Sequence, residues 1–154
     1  MTLQPDRDGL SAVLPQRILV AFDGSPYAEY AFEVPLSLAA MARARLGIVS
    51  VATLPEPPGS VETRATIESA TEHYEEAYER LRRHAETRGL TLETRVLVGH
   101  PAEQIIRLSA DTHVDLIVVG HRGRSRISQW VFGSVSKRIV NHAPCSVLVA
   151  RRPQ

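Results

Sequence analysis

The chain has 154 residues and a formal net charge of +1, with 44% hydrophobic and 23% charged residues. That length suits one domain with its own core, and the composition is that of an ordinary globular protein. Near-neutral charge excludes a protein held to nucleic acid or to a membrane surface by bulk charge.

Residues 17–22, Arg17-Ile18-Leu19-Val20-Ala21-Phe22, are a short apolar run ending at the turn signal Asp23-Gly24, and read as a strand. Ser25 is placed to cap a helix and Pro26 to fill its first position. Ala28, Ala31, Phe32, Leu36 and Ala39 then recur at helical spacing, with Pro35 expected to kink that helix. Residues 46–52 (LGIVSVA) form a second buried strand, and the proline-rich stretch at 53–60 is a loop. The clearest helix covers about 61–88, where Ile67, Ala70, Tyr74, Ala77, Leu81 and Ala85 make one apolar stripe that Gly89 closes. Glu72, Glu75, Glu76 and Glu79 fall on its solvated side, and the Tyr74–Tyr78 pair reads as packing.

Leu92, Val96 and Val98 belong to a third strand, and Pro101 opens a third helix carrying Ala102, Ile105, Ile106 and Ser109. Residues 114–119 are a fourth strand, apolar except for Asp115, as a strand covered on both faces should be. A fourth helix runs from about 133 to 141 and stops before Pro144, and residues 146–150 form a fifth strand. Strands and helices in alternation specify a single doubly wound α/β domain with an open parallel sheet of five strands flanked by four helices. Residues 16–152 are assigned to this domain and residues 1–15 to a flexible arm.

In such sheets ligands bind beyond the carboxyl ends of the strands, where strand order reverses. Three segments should meet there: Phe22-Asp23-Gly24, Val51-Ala52-Thr53, and the loop after Val119. That loop is the most informative stretch of the chain, Gly120-His121-Arg122-Gly123 followed by Gly133-Ser134-Val135-Ser136. Glycines placed this way answer a need for positive φ or for close approach of a ligand to the backbone. A helix opening at Gly133-Ser134 would aim free N–H groups and the positive end of its dipole at a phosphate. Asp23 would accept from ribose hydroxyls or hold a phosphate-bridging metal ion, and Val51 would offer main-chain groups to a base. Gly24, Ser25 and Arg122 complete the expected binding set. No Gly-Lys pair marks a Walker loop, no G-x-G-x-x-G follows the first strand, and the kinase signatures are missing.

The spacing Gly120-x2-Gly123-x9-Gly133-Ser134 resembles the nucleotide-binding signature of the universal stress protein family. Ile18-Leu19-Val20-Ala21-Phe22-Asp23-Gly24-Ser25 looks like that family's opening strand and turn. Gly99-His100-Pro101-Ala102 looks like its entry to the third helix, and residues 141–149 like its closing strand. The resemblance implies strand order 3-2-1-4-5 and places the chain with the ATP-binding branch. Carried over by position, Asp23 would face the ribose and phosphates and Val51 the adenine. Gly120, Gly123, Gly133, Ser134, Val135 and Ser136 would hold ribose and phosphates. Two features depart from the family pattern: His121 stands where a small hydroxyl residue is common, and Arg124 and Arg126 make the loop basic.

Asp23 is the one carboxylate expected at the site, with no catalytic residue identified, so the chain reads as a nucleotide-dependent switch in a stress response. Its ligand would be ATP, with Mg²⁺ or Mn²⁺ met through Asp23, and an unidentified downstream protein would read its state. The alternatives are a slow ATPase or autophosphorylating enzyme, with Ser134 or Ser136 as acceptor, and a dimeric scaffold without nucleotide. The last strand, an apolar edge, is expected to form a homodimer, as the resemblance also implies. The single cysteine, Cys145, fits a reducing compartment and reads as a core residue. None of the six histidines is spaced as a metal-ligating pair, so no His/Cys metal site is expected. No apolar run reaches the ~18 residues that cross a bilayer and the N-terminus lacks signal-peptide character, so no membrane partner and a cytoplasmic location are expected.

Overall fold

Five apolar segments pair as parallel strands, and the helices between them cover both faces of the sheet. The computed structural model describes residues 14–54, 60–121 and 133–151. The strands are β1 (Arg17–Ala21), β2 (Arg45–Ala52), β3 (Leu92–Val98), β4 (Leu116–Gly120) and β5 (Ser146–Ala150). Their order is β3-β2-β1-β4-β5, every neighbour parallel, so the expected doubly wound sheet is found. The chain steps outward from β1 to β2 and β3, then crosses back to β4 on the other side of β1. That reversal lies between β1 and β4, whose carboxyl ends are level, with Ala21 opposite Val119.

The helices are α1 (Pro26–Ala31), α2 (Glu33–Ala42), α3 (Ser60–Glu86), α4 (Pro101–Asp111) and α5 (Ser134–His142). Ile18, Val20, Phe22, Leu46 and Ile48 face Phe32, Leu36, Tyr78 and Leu81 of the α1–α3 layer. Leu19, Val49, Val51, Ile117 and Val119 face Ala102, Ile105, Leu108 and Ile139 of α4 and α5. Because successive strand residues point to opposite faces and both faces are covered, the central strands read as near-continuous apolar runs.

The first helix is divided in two, and the division falls at Phe32 rather than Pro35. Phe32 keeps helical dihedrals (φ −66°, ψ −23°), and its N–H donates to the Ala28 carbonyl at 3.1 Å. Pro35 has no N–H to give to the carbonyl of Ala31, so the helical ladder breaks one turn before the proline. The Ser25 hydroxyl caps α1 by accepting the Ala28 N–H at 3.1 Å, with Pro26 in the first turn, as the sequence predicts.

Asp115 lies just outside β4 and has a separate task. Its carboxylate accepts the N–H groups of Gln16 (2.9 Å) and Arg17 (3.1 Å), which fixes where the chain enters β1. A ladder of polar contacts joins the parallel rods α3 and α1–α2. Arg80 meets Glu29 at 2.6 Å, His84 meets Glu33 at 2.5 Å, and Arg88 reaches Glu33 at 3.4 Å. These groups are solvent-exposed, so they align the rods more than they stabilise them. Among the described residues, no helix is long and apolar enough to cross a membrane.

Candidate functional site

A cleft of about 280 Å³ opens at the carboxyl end of the sheet, where the strand order reverses. Its walls are the ends of β1, β2 and β4, the first turn of α5, and side chains from α3 and α4. The turn after β1 is held firmly. The Phe22 N–H donates to the Val49 carbonyl at 2.9 Å, and Asp23 Oδ1 accepts the Ser25 N–H at 2.9 Å. Gly24 has φ +76°, a left-handed conformation that a side chain would strain. Asp23 is thereby fixed, half-buried, in the cleft wall.

The opposite wall is the start of α5. Gly133 is its N-cap with extended dihedrals (φ −58°, ψ 143°), and among the described residues no side chain caps the helix. The first helical bond runs from the Lys137 N–H to the Gly133 carbonyl at 2.9 Å. The N–H groups of Ser134, Val135 and Ser136 therefore precede the ladder and have no acceptor within the helix. The Ser136 hydroxyl donates to the Gly120 carbonyl at 2.8 Å, so it braces the first turn against β4. Gly120 and Gly133 do not have positive φ, so backbone conformation is not what requires glycine there.

Of the residues expected from sequence, Asp23, Val51, Gly120, Gly133, Ser134, Val135 and Ser136 all line the cleft. Gly24 and Ser25 do not; they shape the turn that presents Asp23. Arg122, Gly123, Arg124 and Arg126 lie outside the described residues, as do residues 1–13 of the expected arm and 55–59 of the proline-rich loop. Apolar lining residues such as Val49 and Ile139 were not expected, nor were Tyr74 of α3 and Pro101 and Ile105 of α4. Pro101 was accessible to the same topological reasoning, because the β3–α4 turn also sits at the carboxyl edge. Tyr74 was not: it stacks on Tyr78 at 6.4 Å between ring centroids, as a packing residue should, and also borders the cleft.

Cys145 is half-buried beside the α5 side of the sheet, and burial pushes its thiol pKa up, away from the thiolate form. Among the described residues, no group of three or more His, Cys, Asp or Glu side chains is arranged to hold a metal ion.

The cleft therefore joins an apolar slot (Val49, Val51, Ile105, Ile139) to a helix N-terminus, with one carboxylate opposite. The sequence profile of the universal stress protein family matches residues 15–151. The chain belongs to that family. A universal stress protein of Staphylococcus haemolyticus is 35% identical, the alignment covering 88% of this chain and 84% of the relative. The structure of universal stress protein UspA from Lactobacillus plantarum superposes with a TM-score of 0.81 at 26% identity, over 88% of this chain and 97% of that one. A family member from Arabidopsis thaliana, solved with AMP bound, superposes with a TM-score of 0.63 at 21% identity, over 90% and 93%. At that identity the Arabidopsis likeness establishes a shared fold. In this universal stress protein the signature glycines that are described, Gly120 and Gly133, stand on the two lips of the carboxyl-edge cleft.

Proposed function

We propose that this universal stress protein binds ATP at the carboxyl-edge cleft and acts as a nucleotide-dependent switch. One observation carries the reading: α5 begins at a glycine with no side-chain cap among the described residues, so its first amides are directed into a cleft whose other end is apolar. Phosphates suit the helix N-terminus, where N–H groups and the dipole favour negative charge. An adenine suits the slot between Val51 and Ile105, and Asp23 suits the ribose or a nucleotide-borne Mg²⁺ or Mn²⁺. Arg122 and Gly123, outside the described residues, belong to the binding set that the sequence predicts. The AMP bound to the Arabidopsis family member supports a nucleotide as the ligand class.

Hydrolysis needs an oriented water and stabilisation of charge at the γ-phosphate. Asp23 is the one carboxylate among the described residues lining the cleft, which favours holding a nucleotide over breaking it. A switch also needs a reader. β5 pairs with β4 on one side and is a sheet edge on the other, which supports a homodimer through that strand. The downstream partner that would respond to occupancy is part of the proposal.

Calorimetry with ATP, ADP and AMP on the wild type and on Gly133→Val tests the reading. Binding by the wild type that the variant loses supports it, and equal binding by both refutes the cradle. Incubation with γ-labelled ATP tests the switch: release of phosphate within minutes, or label on Ser134, makes the protein an enzyme instead. A single species of monomer mass in sedimentation at micromolar concentration would remove the dimer.

A further inference from the structure

A second cleft, also of about 280 Å³, lies at the other end of the sheet, on the α4 face. Its floor is Leu19 and Gly47, and Leu108, Thr112 and Val114 at the end of α4 form one wall. Arg17, Arg45, Arg95 and Glu93 stand around it. Arg17 and Arg45 are register partners on adjacent strands, Gly47 sits between Leu19 and Glu93, and Arg95 is opposite Val49. Alternation along each strand puts all of them on the face that carries Leu19 and Val49.

Two features of this cleft go unexplained by the fold. The first is charge. Like charges directly opposite on a sheet are destabilising, yet Arg17 and Arg45 are paired so. The Arg17 guanidinium donates to the Thr112 carbonyl at 3.1 Å, which satisfies one of its arms. Among the described residues, no carboxylate is in ion-pair contact with Arg17, Arg45 or Arg95.

The second is Gly47. It lies in the middle of β2, where glycine weakens a strand, and its φ is not positive. A Cβ there would meet Leu19 Cδ1 at 3.5 Å and the carbonyl oxygens of Ile18 and Glu93 at 3.8 and 3.9 Å, all ordinary contacts. Neither the backbone nor the packing requires glycine. An open floor beneath three arginines does require it, if a ligand lies there.

We propose that this second cleft binds a small organic phosphate. The phosphoryl group is held by the Arg17–Arg45 pair, whose guanidinium forks match its oxygens. The apolar body of the ligand lies flat on Gly47 and Leu19, and Arg95 closes the far end. The site is separate from the carboxyl-edge cleft and does not depend on the nucleotide reading.

Phenyl phosphate and inorganic phosphate are the probes, titrated into ¹⁵N-labelled full-length protein by NMR. Saturable shifts at the amides of Gly47 and Glu93, with a dissociation constant near or below about 1 mM, are expected for phenyl phosphate. Arg45→Gln is expected to weaken it about tenfold without lowering the thermal midpoint, since it removes a like-charge pair. Gly47→Ala is expected to weaken phenyl phosphate while leaving inorganic phosphate unchanged, because only the body of the ligand meets the new methyl. Shifts confined to Ser134–Ser136, shifts that do not saturate, or unchanged binding by both variants would overturn the proposal.

Discussion

The Ser136 hydroxyl donates to the Gly120 carbonyl at 2.8 Å, tying the first turn of the last helix to the last residue of a central strand. Both lips of the carboxyl-edge cleft are thereby held at a set distance by one side chain. Ser136 is almost fully buried, so its loss should be felt. Ser136→Ala is expected to lower stability by about 1 kcal/mol, the usual net worth of such a bond. Urea denaturation reads this as a lower midpoint at constant slope. An unchanged midpoint would mean that the contact does not brace the cleft.

The amides of that first turn can be removed one at a time. Ser134 is the first helical residue, where proline is well tolerated because its N–H has no intrahelical partner. The preceding Gly133, at φ −58° and ψ 143°, already has the extended conformation that a following proline demands. Ser134→Pro should therefore fold normally and delete one N–H donor. If that donor meets a phosphate, ATP affinity falls by roughly tenfold or more, the worth of a hydrogen bond to a charged group. Ser134→Ala, which keeps the N–H, is the control. Calorimetry showing equal affinity for the proline and alanine variants would remove this amide from the cradle.

The strand set was legible because each central strand is apolar on both faces, and alternation with helices specified a doubly wound sheet, while the strand order came from the family resemblance. The site was legible where it is made of backbone, at Gly120 and Gly133–Ser136, since glycine spacing marks the chain's own path. It was less legible where it is made of side chains that also pack. Tyr74 sits on the same stripe as Ala77 and Leu81, and nothing in helical periodicity says that its outer edge reaches the cleft. Asp115 shows the converse. Its charge in an apolar run is explained only by the N–H groups of Gln16 and Arg17, one hundred residues away in sequence to within two. The joint at Phe32 was misplaced because a proline breaks the hydrogen bond to a residue four earlier, not the one at its own position.

Tyr78 is fully buried, and its phenol donates to the Arg95 carbonyl at 2.9 Å. Burial, above all other causes, raises its pKa well beyond the usual 10.0. The folded protein therefore keeps a proton that the unfolded chain gives up above that value. Stability is unaffected by this group below pH 10 and falls as pH rises past it, by up to about 1.4 kcal/mol per pH unit. Tyr78→Phe should remove that contribution to alkaline destabilisation, while costing about 1 kcal/mol at neutral pH for the lost bond. Denaturation midpoints measured between neutrality and pH 11 separate the two. Identical alkaline slopes for the variant and the wild type would show that Tyr78 does not carry the effect.

Gly99 and Gly47 offer a paired test of what a glycine is for. Gly99 closes β3 with φ +134°, its N–H donating to the Ala52 carbonyl at 3.0 Å. A Cβ there would come within 3.0 Å of Gln104 Nε2, on a backbone that side chains rarely adopt. Gly99→Ala is therefore expected to destabilise by about 1–2 kcal/mol and to shift Pro101 at the cleft wall. Gly47 has a regular strand backbone and room for a methyl, so Gly47→Ala should be neutral or stabilise by about 0.5–1 kcal/mol. Thermal denaturation of the two variants side by side gives opposite signs if one glycine serves the turn and the other leaves a floor open. Equal losses would mean that Gly47 is also required by the fold, and that its empty floor needs no ligand to explain it.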